Sequence, residues 1–222
     1  MRTTISVSSG FLHKLSLRQI FLAGGILSSL LYVAMNIFAA MQYPGYNFAT
    51  FTVSELSAIG APSRSFWTGW AIVYTFLITA FGWAILKSAA QNRAVRVTGA
   101  LILFYGALGI GWHFAPMHQR EVLAAGGGTL SDTMHLVLSF VTVLLMLAAM
   151  GFGAAAFGET FRFYSITSLV MILIFGILTG LEAPHVESNQ PTPLIGVWER
   201  INIGIFLLWV AILAAVLLGR KE

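Results

Sequence analysis

TMHLVLSFVTVLLMLAAMGFGAAAF, residues 133–157, contains no Asp, Glu, Lys or Arg. A helix needs roughly 20 apolar residues to cross the hydrocarbon of a bilayer. The stretch is long enough to span, and only a helix satisfies its own backbone in lipid without a closed barrel of partners. Five further runs of the same kind lie on either side of it, at about 19–41, 65–87, 96–115, 163–182 and 195–218. The composition agrees. The chain has 222 residues, 58% hydrophobic and 9% charged, whereas soluble domains carry about 25% charged residues. The expectation is an all-α polytopic membrane protein: a short segment over 1–18, one six-helix bundle over 19–218, and a tail over 219–222.

Loop lengths and charge set the expected orientation. The connections 42–64, 116–132 and 183–194 are long, while 88–95 and 158–162 are short. Nine of the 12 Lys and Arg residues fall on the side of the termini and the short loops. Only Arg64, Arg120 and Arg200 fall on the other side. The positive-inside rule then puts both termini in the cytoplasm. The first 18 residues have no apolar core before Leu17 and do not read as a cleavable signal peptide. The net charge of +4 follows from this membrane asymmetry. The basic residues form no single patch, so nucleic acid is not an expected partner. The absence of cysteine rules out disulfides, a thiolate nucleophile and Cys-ligated metal.

The ionisable side chains gather at the long-loop end. His113, His118, His135 and His185 fall at or beyond the ends of spans, together with Ser54, Glu55, Asp132, Glu182, Glu199 and Arg200. Charged groups at a bilayer face the bundle interior or a wet cavity. Asp132 and His135 stand i, i+3 in SDTMH and share a helix face. Asp132 either orients His135 or joins it on a metal, or else it serves the helix start, with Ser131 as N-cap. Glu182 and His185 have the same spacing, a carboxylate-x-x-His pattern found in di-metal bundles. Pro184 predicts that the helix ends near Glu182. His113 is expected to face inward and His118 to be solvated. Thr52 and Glu55 fit a capping box and Gly60 a helix stop. That pattern predicts a short surface helix, or else a place for Ser54 or Glu55 in a site. Glu199 and Arg200 adjoin and cannot pair on one face. Arg200 is expected either to neutralise Glu55, Asp132 or Glu182, or to bind an anion.

No P-loop, GxSxG, HExxH or GxGxxG pattern is present. The segments YPGYNFATFTVSELSAIGAPSR (43–64), WHFAP (112–116), TMHLVLSF (133–140) and GVWERI (196–201) resemble those of six-span bacterial membrane proteins grouped as domain of unknown function 998. The similarity covers about 19–218. Many members read Phe-Pro-x-Asp at the end of the third span, where this chain has His113-Phe-Ala-Pro. The resemblance implies the six-span fold and a bacterial inner-membrane location, and no established activity. A looser similarity links Ser54, Asp132, His113, His135 and His185 to the residue inventory of the alkaline ceramidase and adiponectin receptor hydrolases, though not to their spacing or usual seven spans.

Two functions fit the residues. In the first, His135, His185 and His113 hold zinc with an open position for water, Asp132 or Glu182 takes its proton, and Ser54 or Arg200 steadies an oxyanion. The substrate is then a lipid or lipid-like molecule at the outer leaflet. In the second, the protein is a non-enzymatic sensor, assembly factor or carrier whose polar end binds an anion, a lipid headgroup or a partner. Haem held by His113 and His135 is a third arrangement. Membrane lipids are expected neighbours in all three.

Overall fold

The computed structural model describes residues 16–220; the expected N-terminal segment up to 15 and the last two residues of the tail lie outside the described residues. Seven helices follow in order: α1 (Leu17–Met41), α2 (Arg64–Lys87), α3 (Arg93–Leu108), α4 (Arg120–Ala124), α5 (Leu130–Ala156), α6 (Glu159–Glu187) and α7 (Ile195–Leu218). Six of them are long and apolar enough to cross a membrane, α3 doing so with the 3-10 turn Gly109–His113 that continues it. The short α4 belongs to a connection. The fold is therefore the expected all-α bundle. With an even number of spans, α1 starts and α7 finishes at the same end, the terminal end. The long connections cover the opposite, capped end.

The six long helices form a closed ring. In order, α1 packs on α2, α2 on α3, α3 on α5, α5 on α6, α6 on α7, and α7 back on α1. The α2–α3 contact is close because glycines face backbone across it. A Cβ at Gly82 would collide with the Leu103 backbone, and one at Gly99 would lie 2.7 Å from the Leu86 nitrogen. Lipid offers no hydrophobic drive for helix pairing, so close van der Waals approach and interhelical hydrogen bonds carry it. Three such bonds tie α7 to its neighbours. Ser29 donates to the Leu207 carbonyl at 2.8 Å, Trp209 Nε1 to Ser165 Oγ at 2.9 Å, and Asn202 Nδ2 to the Ile172 carbonyl at 2.7 Å. Trp209, Phe206 and Phe81 are fully buried among them. Phe76, Phe104 and Phe163 project outward from the ring, as a lipid-facing surface requires.

Packing is uneven along α5 and α6. Towards the terminal end they bury Met146, Ala149, Met150 and Ala154 on α5 and Phe161, Ser165, Ser168 and Ile172 on α6. Between His135 and Met146 on α5, and between Ile172 and Val186 on α6, no residue is buried. The ring is thus loosely filled in the half beneath the cap.

Two expectations about helix boundaries change. α6 does not stop near Glu182 but runs to Glu187 with Pro184 inside it. Pro184 sits in the last turn, so its missing N–H deprives only the Gly180 carbonyl of a partner. Gly180 itself has open space where a side chain would project. The TVSELSAIG segment does not form a surface helix. Ser54–Ser57 is a single 3-10 turn, with Glu55 and Leu56 buried, pressed into the top of the bundle.

Candidate functional site

The polar residues of the capped end fall into two groups, a clasp that joins the three long connections and the wall of a cavity beneath it. The clasp starts from the capping box read in the sequence. The Glu55 carboxylate accepts from the Thr52 backbone N–H at 2.7 Å and from Thr52 Oγ1 at 2.9 Å, and the Glu55 N–H donates back to Thr52 Oγ1 at 3.2 Å. The turn so formed presents both carboxylate oxygens to Arg120, which donates from Nε at 2.7 Å and from Nη2 at 2.8 Å. Arg120 also donates to Thr192 Oγ1 at 3.2 Å and to the Thr50 carbonyl at 3.2 Å, and its guanidinium lies 4.7 Å from the Phe51 ring centre. One buried ion pair therefore links the connections before α2, before α5 and before α7. A backbone bond from Ile59 N–H to the Met117 carbonyl at 2.8 Å reinforces the first of these junctions.

Arg200 makes a second clasp. It donates to Asn36 Oδ1 at 3.0 Å, to the carbonyls of Phe48, Phe51 and Gly196 at 2.9–3.0 Å, and to the Tyr46 hydroxyl. The guanidinium also faces the Tyr46 and Phe48 rings. Burial pushes the Tyr46 phenol above its ordinary range, so it stays neutral and donates to the Thr52 carbonyl at 2.6 Å. Arg200 neutralises none of Glu55, Asp132 or Glu182. Glu55 has Arg120, and Glu182 accepts from Trp198 Nε1 at 3.1 Å and the Leu194 N–H at 3.4 Å. The three carbonyls and the Asn36 oxygen that surround Arg200 leave an anion no clear approach to it.

Asp132 does serve the start of α5, but Thr129, not Ser131, is the N-cap, and the two form a reciprocal capping box. Ser131 Oγ donates instead to the Pro116 carbonyl at 2.6 Å. The free side of Asp132 does not turn to His135. It accepts from the His118 N–H at 2.7 Å and meets His118 Nδ1 at 2.9 Å. His118, expected to be solvated, is the histidine that Asp132 orients. Spacing gives no sign of this, because the loop between them folds back over Pro116.

The three histidines expected to share zinc are not brought together. His113 Nε2 lies 3.2 Å from the Thr68 carbonyl on α2. His185 is exposed on the last turn of α6. His135 is buried and faces the cavity. Among the described residues no three His, Asp or Glu side chains form a group able to hold a metal. The three share one end of the ring, but His113 turns to α2, His135 to the Ala115 carbonyl and Trp112, and His185 is exposed. The inventory shared with the ceramidase-type hydrolases is not assembled, and the paired axial ligation of haem has no support in this arrangement.

The cavity lies inside the ring beneath the clasp and has a volume of about 1110 Å³, as large as the biggest sites that take small molecules. Every one of the six long helices contributes to it. Its roof is the 52–57 turn, with Ser54 and Ser57 facing in. Glu199 lines it from α7 and accepts from the Val53 N–H, and the Ser54 side chain interacts with the same carboxylate. A polar stripe runs down α5 at helical spacing, through His135, Ser139 and Thr142. Tyr74 of α2 and Tyr105 of α3 share a hydroxyl–hydroxyl bond of 2.9 Å on the adjoining wall. The remainder is apolar. On its open side Leu136 and Phe140 of α5 face Leu173 and Ile177 of α6, all lining the cavity and all substantially exposed. The cavity therefore opens sideways through the loosely packed α5–α6 gap.

His135 is held rigidly in that wall. Its Nδ1 lies 2.9 Å from the Ala115 carbonyl and its ring stands edge-on to Trp112 at 4.9 Å. A carbonyl only accepts, so the neutral ring carries its proton on Nδ1 and its lone pair on Nε2. That Nε2 is buried without a partner among the described residues.

The family model described as "Protein of unknown function (DUF998)" matches residues 26–216. The chain belongs to this family. No curated protein and no solved structure matches the chain. The matched range takes in all of the clasp and the whole cavity wall, so both lie within the family's common region. The family carries no activity to set beside them.

Proposed function

We propose that this protein is a non-enzymatic membrane receptor or carrier for a lipid-like small molecule, which it takes up sideways from the bilayer. Both termini lie in the cytoplasm of a bacterium under this reading, by the distribution of Lys and Arg. The cavity then sits in the outer half of the inner membrane, with the clasp as its lid. The observation that carries the reading is the cavity itself, a space of about 1110 Å³ whose carboxylates lie near the roof and whose apolar side opens between α5 and α6. An amphiphile fits that division. Its tail fills the apolar side and its head meets Ser54, Glu199 and His135. Small-molecule sites are mostly apolar with a few placed polar groups, and the same balance is present here.

The test is to fill the space from the protein side. Gly180 lines the cavity and a Cβ there would meet no atom within 4 Å. Gly180→Trp is therefore expected to fold normally and to lose at least tenfold of the lipid that co-purifies with wild type, read by native mass spectrometry from mild detergent. Equal lipid content in the two proteins overturns the proposal.

A further inference from the structure

We infer that the head of the ligand is a cation, and that the cavity is built for a lipophilic amine rather than an anionic lipid. This rests on the cavity reading above and adds the chemistry of the head. Three independent features agree.

The first is charge. Among the described residues Asp132, Glu187 and Glu199 line the cavity, and no Lys or Arg does. The three arginines of this end are engaged elsewhere, Arg64 with the Ser57 carbonyl. Arg120 is bound to Glu55, Thr192 and Thr50, and Arg200 to Asn36, Tyr46 and backbone carbonyls. Arg200 and Glu55 act on Glu199 through space, but neither bonds to it. Asp132 is occupied by His118 and Thr129. Glu187 is exposed at the end of α6, whereas Glu199 lines the space and is held in place by the Val53 N–H. A cationic head pairs with that carboxylate, while an anionic head finds no Lys or Arg in the described lining.

The second is aromatic surface. Tyr32, Trp67, Tyr74 and Trp112 line the same space. Ring faces attract cations, most strongly those of tryptophan, and more so where water is excluded. The third is hydrogen-bond polarity. His135 is 6% exposed, and its Nε2 is an acceptor with no donor among the described residues to satisfy it. A carboxylate or ether head brings no donor. A hydroxyl brings one, and an ammonium brings up to three together with the charge that Glu199 and the rings favour.

One tail with three heads decides the matter. Oleylamine, oleyl alcohol and oleic acid are titrated into the purified full-length protein, and binding is read from quenching of tryptophan fluorescence, since Trp67 and Trp112 line the cavity. Wild type is expected to bind the amine at least tenfold tighter than the alcohol, and the acid weakest. Glu199→Gln keeps the shape and an acceptor for Val53, and is expected to bring the amine within about threefold of the alcohol without weakening the alcohol. The wild-type ranking stands as a test even if that variant fails to fold. Acid binding as tightly as amine, or an amine preference undiminished in Glu199→Gln, overturns the inference. Equal binding of all three heads overturns it while leaving the cavity reading intact. No binding of any of them removes both.

Discussion

The clasp and the cavity wall lie within one end of the same molecule and treat polar groups in opposite ways. In the clasp, Glu55 and Arg120 are buried, paired in two parallel bonds, and surrounded by further partners. In the wall directly below, His135 is equally buried and its Nε2 has no partner among the described residues. The Thr142 hydroxyl on the same stripe is also buried and unpartnered. A chain able to satisfy a buried guanidinium completely is able to satisfy an imidazole. Saturated polar groups therefore hold this fold, and under the proposed function the two unsatisfied groups of the cavity wall mark where a ligand binds. The contrast also reverses a natural first guess, because the charged pair that looks most like chemistry is the structural one.

That contrast can be attacked from either side. The largest effect is expected at the clasp. Arg120→Ala leaves Glu55 buried without its counter-ion, and breaking a buried pair in this way costs about 3–5 kcal/mol. Thermal unfolding in detergent should show a large drop, and a variant as stable as wild type would mean that the clasp is not what closes this end. A smaller loss is expected for Asp132→Ala, which removes the α5 capping box and the anchor of His118. The bonds from Thr129 to the Asp132 carboxylate are worth about 1 kcal/mol, and the His118 bond adds a similar amount. The same unfolding measurement checks it, and a loss as large as that of Arg120→Ala would place Asp132 in the clasp rather than beside it. The smallest effect is expected at the wall. His135→Phe keeps a flat ring against Trp112 and removes the unsatisfied acceptor, but it also takes the donor from the Ala115 carbonyl, so stability should fall by about 1 kcal/mol while ligand retention falls. Strong destabilisation by this change would show that His135 holds the fold, and would erase the distinction between the two regions.

Several features of this end are legible in the amino-acid sequence alone. The Thr52–Glu55 capping box is readable because it is local, three residues apart, and the geometry of one turn decides it. The helix-start role of Asp132 is readable for the same reason, although the cap is Thr129 rather than Ser131, which turns to Pro116. The pairing of Glu55 with Arg120 spans 65 residues, and no spacing rule reaches that far. His118 reads as solvated because its loop position says nothing of how the loop folds back onto Asp132. The histidines expected to hold zinc share an end of the bundle, but sharing an end does not bring side chains to one point. That depends on the rotation of each helix about its own axis.

The number of helices, their approximate limits and the polarity of one end are properties of this chain's sequence. Each follows from how far a run of apolar residues extends and from what bounds it, and the cost of placing charge in lipid makes those limits sharp. Which polar groups bond to one another, and which face an open space, is settled at the tertiary level. The ring order, the gap between α5 and α6 and the engagement of Arg120 and Arg200 arise from contacts between residues far apart in the chain. A helix whose sequence is apolar on nearly every side can be rotated without changing its suitability for the bilayer, so its pattern leaves its inward face undetermined. Packing against glycines such as Gly82 and Gly99 chooses that face, and with it the residues that line the cavity.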